Sequence, residues 1–167
     1  MNSDPQNAVV TRESITLRPV KPEDEVFLLE VYAGTRANEL ALVPWNEEQK
    51  QAFVRMQFDA QQEHYQKYSS NGKHEIVLCG DRPVGRLWLD RKDDQIIILD
   101  LTILPSDRNH GIGSDLLRRL LKEAETAHKS VSVYVETFSL SLPLFERLGF
   151  EQVATEGINY LLKWSPP

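Results

Sequence analysis

The sequence contains very little cysteine, because Cys79 is the only one among 167 residues. A single cysteine excludes an internal disulfide bond and a cysteine-rich metal site. Cys79 lies in the apolar run EIVLCG, which favours a small buried hydrophobic side chain over a reactive nucleophile. We therefore expect neither a bound metal ion nor covalent cysteine chemistry.

Long apolar runs and targeting signals are also missing. No stretch approaches the roughly 20 apolar residues that a membrane-spanning helix needs. The N-terminal sequence MNSDPQNAVVTRES lacks the basic region and the apolar region of a signal peptide. These absences predict a cytoplasmic protein that does not enter a membrane.

The chain has no dense run of Lys or Arg, and its net charge is -6. A nucleic-acid partner is therefore not expected. The acidity is uneven, since residues 21–65 hold nine acidic and four basic side chains, a local balance of -5. This segment is either the solvated faces of two helices or a rim that attracts a cationic partner.

The length is that of one ordinary domain. We expect a flexible tail at residues 1–12 and a single domain at residues 13–167. ITLRPV predicts a first strand, and a helix follows from Pro22, with Val26, Leu29 and Ala33 on its apolar stripe. Asn46 and Gln49 have the spacing of a capping box, which predicts a second helix from Asn46 to about Tyr68.

The second half alternates strands with helices. Three apolar runs parted by GDRP and RKDD predict an antiparallel meander. The next segment is a strongly periodic helix, with apolar positions Ile112, Leu116, Leu117, Leu120, Leu121 and Ala124. We expect the strand VSVYVET, the short helix LPLFERL, and a final strand or hairpin in GFEQVATEGINYLLKW.

The turn RNHGIG joins the strand IIILDLTIL to the periodic helix. A glycine-rich turn into a helix leaves backbone N–H groups unpaired at the positive end of the helix dipole, and this is an anion site. Two phosphate motifs do not fit. A P-loop needs Lys after its last glycine, where Ser114 stands, and a dinucleotide fingerprint needs a third glycine, where Leu116 stands.

The segment LTILPSDRNHGIGSDLL resembles the acyl-coenzyme A loop of the GNAT superfamily of N-acetyltransferases. Arg108, Gly111 and Gly113 match its core, Arg/Gln-x-x-Gly-x-Gly/Ala, and LFERLGFEQV resembles a later family segment that ends in Gly-Phe. The resemblance extends over residues 15–164. It implies an α/β fold of the α+β type: a mixed, mostly antiparallel central sheet with helices on both faces, and a splayed pair of strands that holds the cofactor.

The resemblance also implies acetyl-CoA as cosubstrate and direct acetyl transfer to a primary amine. The strand backbone at Leu101, Thr102 and Ile103 is then expected to bind the pantetheine arm, beside a gap near VYVE. The pyrophosphate is then held by the loop residues Arg108, Asn109, His110, Gly111, Ile112 and Gly113. Dimers are common among relatives, so a homodimer is a possible state of this chain.

The later segment departs from the family pattern at two expected cofactor contacts. Phe145 stands where the family usually has a tyrosine that protonates the departing thiolate, and Phe138 stands at the usual asparagine. Neither can donate a hydrogen bond. Three alternatives remain: the thiolate leaves unassisted, Ser139 or Ser141 helps, or the chain is a catalytically weak or inactive module that binds acyl-CoA.

Asp100 is the best candidate for the base, because many relatives carry an acid there. Strand alternation is expected to turn it away from the face of Leu99 and Leu101. The alternative to a catalytic base is a solvated or ion-paired strand carboxylate. His64 shares a helical stripe with Phe53, Gln57 and Ala60, so it either lines a cleft or packs as a core histidine. The sequence does not identify the acceptor amine.

Overall fold

The computed structural model describes residues 14–167, which form seven strands and four α-helices. The predicted tail at residues 1–12 lies outside the described residues. The strands are β1 (Ile15–Pro19), β2 (Lys73–Cys79), β3 (Arg82–Arg91), β4 (Gln95–Ile103), β5 (Ser130–Glu136), β6 (Glu151–Glu156) and β7 (Asn159–Trp164). The helices are α1 (Glu25–Leu40), α2 (Glu47–Tyr68), α3 (Ile112–Thr126) and α4 (Leu142–Arg147).

One seven-stranded sheet runs through the molecule in the order β1-β2-β3-β4-β5-β7-β6. Every neighbouring pair is antiparallel except β4 and β5, which are parallel. The mixed, mostly antiparallel sheet expected from the sequence is therefore confirmed. Within the described residues, no helix is both long and apolar enough to cross a bilayer.

The two faces of the sheet carry separate hydrophobic cores. Ile76 belongs to the core under α1 and α2, with Leu28, Val54 and Phe58. The next residue on β2, Val77, belongs to the core under α3 and α4. Successive strand residues point to opposite faces, so helices cover both sides of the sheet, as expected. We call these sides the α1/α2 face and the α3/α4 face.

The apolar stripe predicted for α1 is wrong at Val26, whereas Leu29 and Ala33 are half-buried and pack against the core of the α1/α2 face. The buried residues of α1 are Leu28, Val31, Tyr32 and Leu40, whereas Val26 is 80% exposed. Leu29 and Ala33 line an open groove between α1 and α2. The segment VFLLEV is apolar on more than one side, so periodicity alone does not select a face. Packing against the sheet makes that selection.

The strands β4 and β5 separate halfway along their length. They pair only where residues 95–98 meet residues 130–133, although β4 continues to Ile103. A β-bulge opposite Trp88 lies where they part and bends the strand. β4 stays paired with β3 to its end, and a Cβ on Gly85 would meet the Thr102 carbonyl oxygen. The splayed pair implied by the resemblance is present.

Candidate active site

The turn before α3 forms a cradle of backbone N–H groups. Asn109 and Gly111 both have positive φ, 65° and 82°, and the first backbone bond into the helix runs from Asp115 N to Gly111 O at 3.0 Å. The backbone N–H groups of residues 109–114 make no hydrogen bond to any described residue. They lie at the positive end of the α3 dipole, where an anion is stabilised.

Side-chain contacts hold this cradle to the sheet. The buried Asp107 carboxylate forms an ion pair with Arg82 at 2.8 Å. His110 Nδ1 lies 3.2 Å from the Asp107 carbonyl oxygen, and Arg108 Nε donates to the Ile103 carbonyl at 3.1 Å. The loop is therefore fixed both to the start of β3 and to the end of β4.

The gap between β4 and β5 is bordered by backbone. Leu101 and Ile103 pack against the core of the α3/α4 face, while Thr102 Oγ1 on the other face donates to Asp100 Oδ1 at 2.5 Å. Since β4 does not pair with β5 after residue 98, its backbone groups there border the gap. A Cβ on Gly111 would meet no atom within 4 Å. The gap and the cradle together fit an extended ligand that ends in a diphosphate.

Asp100 lies at the bulge and faces a buried arginine. Asp100 Oδ2 accepts a hydrogen bond from Arg86 Nη2, and the same nitrogen donates to Gln61 Oε1. Arg86 is 1% exposed and the Asp100 side chain is 12% exposed. Asp100 is therefore an ion-paired carboxylate in the structure. A carboxylate has about four lone-pair sites, and the hydrogen bonds from Arg86 and Thr102 use two of them, so others can still accept a proton.

The expected alternation around Asp100 is wrong on one side. Asp100 lies opposite Trp88, and Leu99 is the extra residue of the bulge. Leu99 Cδ1 and Trp88 Nε1 both approach Gly72, so Leu99 shares the α1/α2 face with Asp100. Leu101, by contrast, packs against the core of the α3/α4 face. The extra residue of a bulge interrupts the alternation of side chains, so two successive residues, Leu99 and Asp100, lie on the same face.

Aromatic and imidazole groups surround this pair. Burial, together with the Asp100 charge, raises the pKa of Tyr65 to about 12. His74 stacks on Trp88 with ring centroids 4.0 Å apart and planes 4° apart. Burial, and then the Arg86 charge, lowers the pKa of His74 to about 4. Near neutral pH the Tyr65 phenol is therefore protonated and the His74 imidazole is neutral.

A second carboxylate on this face comes from β5. Glu136 Oε1 lies 3.3 Å from Arg36 Nη2 of α1. Arg36 Nε also donates to the Tyr32 hydroxyl at 3.4 Å, and that hydroxyl donates to Gln57 Oε1 at 3.3 Å. The splayed strands thus each place one carboxylate on the α1/α2 face.

Within the described part of the chain, four other residues singled out in the sequence form no hydrogen bond, ion pair or ring contact with Asp100. Phe145 is buried in the α3/α4 core, edge-on to Phe150 with ring centroids 5.2 Å apart. Phe138 is 58% exposed. Ser141 Oγ lies 2.7 Å from Ser139 Oγ on the surface before α4.

The stripe predicted for His64 on α2 is wrong at Ala60 and His64, which are exposed, but right at Phe53 and Gln57, which are half-buried. His64 is exposed and contacts only the rings of Tyr65 and Tyr68 among the described residues. From Gln57 the face of α2 that contacts the site continues at four-residue intervals to Gln61 and Tyr65, and not to Ala60 and His64. Two sequence signals could have identified these residues. One is the four-residue spacing of polar side chains on α2 next to the apolar Val54 and Phe58, and the other is the single arginine within the apolar strand VGRLWL.

A family model described as an acetyltransferase (GNAT) domain matches residues 42–166. No curated protein matches the sequence.

Solved structures match almost the whole chain. The PaiA N-acetyltransferase from Thermoplasma acidophilum, in complex with coenzyme A, is 19% identical with a TM-score of 0.68, over 91% of this chain and 99% of that one. An acetyltransferase from Thermus thermophilus is 17% identical with a TM-score of 0.68, over 95% and 99%. Arabidopsis thaliana Naa50, with the bisubstrate analogue CoA-Ac-MVNAL, is 17% identical with a TM-score of 0.59, over 91% and 99%. At these identities the likeness establishes the fold.

Proposed function

This chain belongs to the GNAT acetyltransferases, and on that premise we propose that it moves an acetyl group from acetyl-CoA directly to a primary amine. One observation carries the proposal: unpaired N–H groups at the start of α3 lie next to the unpaired edge of β4. A cradle for a diphosphate beside a slot for an extended arm suits coenzyme A. We assign the activity to a single domain, residues 13–167.

The cofactor site divides into two parts. The backbone of Leu101, Thr102 and Ile103 binds the pantetheine arm in the gap. The N–H groups from Asn109 onwards bind the pyrophosphate, and the absence of a side chain at Gly111 leaves the cradle open. Arg108 adds a charged donor close to the phosphates.

The transfer itself needs a nucleophile, a base and a polarised carbonyl. Acetyl-CoA supplies the thioester. The amine nitrogen attacks the thioester carbon, the C–N bond forms as the C–S bond breaks, and the amine proton passes to a free lone pair of Asp100. Backbone N–H groups at the gap polarise the carbonyl. Coenzyme A leaves as a thiolate and takes a proton from solvent, because Phe145 has no proton to give.

The acceptor is proposed to be a cationic amine. Asp100 and Glu136 lie on the α1/α2 face of the two splayed strands. Helices α1 and α2, which cover that face, belong to the acidic segment of residues 21–65. Carboxylates on a site and its rim attract cations over distances set by the ionic strength.

A second candidate function is an acyl-CoA-binding module with little or no turnover. It is favoured by Phe145, which leaves the departing thiolate without the family's usual donor, and by the ion pair that engages Asp100. The two functions share the cofactor site and differ only in whether acetyl groups are transferred.

Release of free thiol from acetyl-CoA, measured with a panel of mono-, di- and polyamines, separates the two functions. Asp100→Asn is expected to lower kcat about 10²–10⁴-fold, the usual contribution of a general base, while acetyl-CoA still raises the Tm. The matched control is Asp90→Asn, a buried strand carboxylate whose ion-pair partner is Lys92; it is expected to keep kcat. Coenzyme A binding without thiol release on any amine would favour the binding module.

The cytoplasmic location and the homodimer expected from the sequence stay predictions.

A further inference from the structure

On the α1/α2 face, the side chain of Arg86 connects three elements through a single atom, Nη2. It lies on β3, its Nη2 donates to Asp100 on β4 and to Gln61 on α2, and its guanidinium carbon is 5.9 Å from the centre of the Phe58 ring. At 1% exposure it is the largest fully buried side chain among the described residues.

The hydrogen bonding of Arg86 is selective. Nε and Nη1 have no hydrogen-bond partner among residues 14–167, although both atoms are buried. Buried polar groups in folded proteins are generally paired, and an unpaired one costs stability. A buried ion pair is also often no more stable than well-packed hydrophobic side chains of similar volume. Stability alone therefore does not account for an arginine at this position.

What Arg86 does accomplish is the orientation of one carboxylate. Arg86 Nη2 holds Asp100 Oδ2, while Thr102 Oγ1 holds Oδ1 at 2.5 Å. Both oxygens are fixed at the bulge beside the point where β4 leaves β5. Reaction rates depend steeply on such placement, and an error of about 1 Å can cost about 10²-fold.

We propose that Arg86 is a positioning residue for acetyl transfer: it fixes the Asp100 carboxylate, and with it Gln61, toward the amine at the mouth of the splayed strands. This inference rests on the proposed function, because it assigns Arg86 a role through Asp100. Arg86 itself touches neither substrate.

The test is a cycle of Arg86→Met and Asp100→Asn, alone and together, assayed for thiol release with the best amine of the panel. Arg86→Met is expected to lower kcat about 10- to 100-fold and to leave the KM for acetyl-CoA within about threefold. In the Asp100→Asn background, Arg86→Met is expected to change kcat less than about twofold, because the effects of two residues that act as one unit do not add. Arg91→Met, on the same strand with an exposed Glu123 partner, is the matched control and is expected to keep kcat.

Two results would overturn the proposal: kcat within twofold of the unmodified protein in Arg86→Met, or an equal loss of kcat with and without Asp100. If Arg86→Met does not fold, Arg86→Lys takes its place in the same assay. Lysine keeps the charge but lacks the planar fork, so a reduced kcat is expected and an unchanged kcat would overturn the proposal. An unmodified protein that binds acetyl-CoA but acetylates no amine would instead contradict the proposed function.

Discussion

At the scale of single residues, the ring of Phe145 has a consequence for the pH dependence of turnover. By the resemblance, it stands where the family usually has an acid, and burial together with the Asp100 charge raises the pKa of the Tyr65 phenol to about 12. We therefore predict that kcat rises with pH as the acceptor amine loses its proton and then reaches a plateau. The measurement is kcat at saturating substrates up to about pH 10, where a free phenol ionises. A falling limb below that pH would show that another group protonates the thiolate.

His74 makes the fold sensitive to acid. Burial lowers its pKa to about 4 from the ordinary histidine value of 6.5, so between these values the unfolded chain binds more protons than the folded one. The free energy of unfolding therefore falls as pH drops from about 6.5 to 4, and the loss is complete below the folded pKa. After a reduction for partial solvent exposure, this contribution of His74 to the free energy of unfolding is roughly 2–3 kcal/mol.

The variant His74→Gln tests this account by urea denaturation across that pH range. It is expected to flatten the slope of stability against pH between about 6.5 and 4, whatever it does to stability at neutral pH. His64→Gln, which removes an exposed histidine of α2, is the control and is expected to keep the slope. An unchanged slope in His74→Gln would assign the acid sensitivity to other groups.

At the scale of elements, the turn before α3 can be tested with a matched pair of glycines. Gly111 and Gly157 both have positive φ, 82° and 58°, and a Cβ on either would meet no atom within 4 Å. Gly111→Asp and Gly157→Asp therefore carry similar backbone strain and add the same charge. Only Gly111→Asp is expected to abolish the rise in Tm that acetyl-CoA produces, because only its carboxylate enters the cradle. Retention of that rise would contradict the phosphate-loop assignment.

The elements that the sequence predicts well are those with local chemical causes. Asn46 and Gln49 cap α2 reciprocally, at 2.8 and 3.0 Å, and the helix ends at Tyr68 as expected. The expected apolar stripe of α3 is buried apart from the half-buried Leu121. The cradle is likewise local, since its glycines and its arginine lie within six residues. The meander of β2, β3 and β4 and the hairpin of β6 and β7 follow from their turn signals.

The parts that the sequence does not predict depend on contacts between distant elements. Arg86, Asp100 and Gln61 meet only because β3, β4 and α2 pack together. The bulge at Leu99 changes which side chains share a face, and no glycine or proline in this strand predicts its position. The choice of face on α1 is similar, because Val26 and Leu28 are equally apolar and only the sheet distinguishes them.

At the scale of the whole molecule, the charge distribution bears on how an acceptor arrives. At least five of the nine acidic side chains in residues 21–65 lie in ion pairs: Asp24 with Arg18, Glu25 and Asp59 with Arg55, Glu39 with Arg36, and Glu47 with Lys50. Pairing weakens their fields at close range. It leaves the total of -6 unchanged, and a distant cation responds to that total.

Two acceptors that differ in one charge test this effect. A diamine has a second ammonium group, and the amino alcohol of equal length has a neutral hydroxyl in its place. The Debye length shrinks from about 30 Å at 0.01 M salt to about 3 Å at 1 M, so attraction between the protein and the ammonium is progressively screened. At saturating acetyl-CoA, kcat/KM is expected to fall more steeply with salt for the diamine than for the amino alcohol, because the diamine carries one more positive charge. Both acceptors share every salt effect on the fold and on the cofactor site, so the difference between the two slopes reports the attraction alone. Parallel curves would contradict steering by the acidic helices and would leave those carboxylates as solvated or ion-paired helix faces.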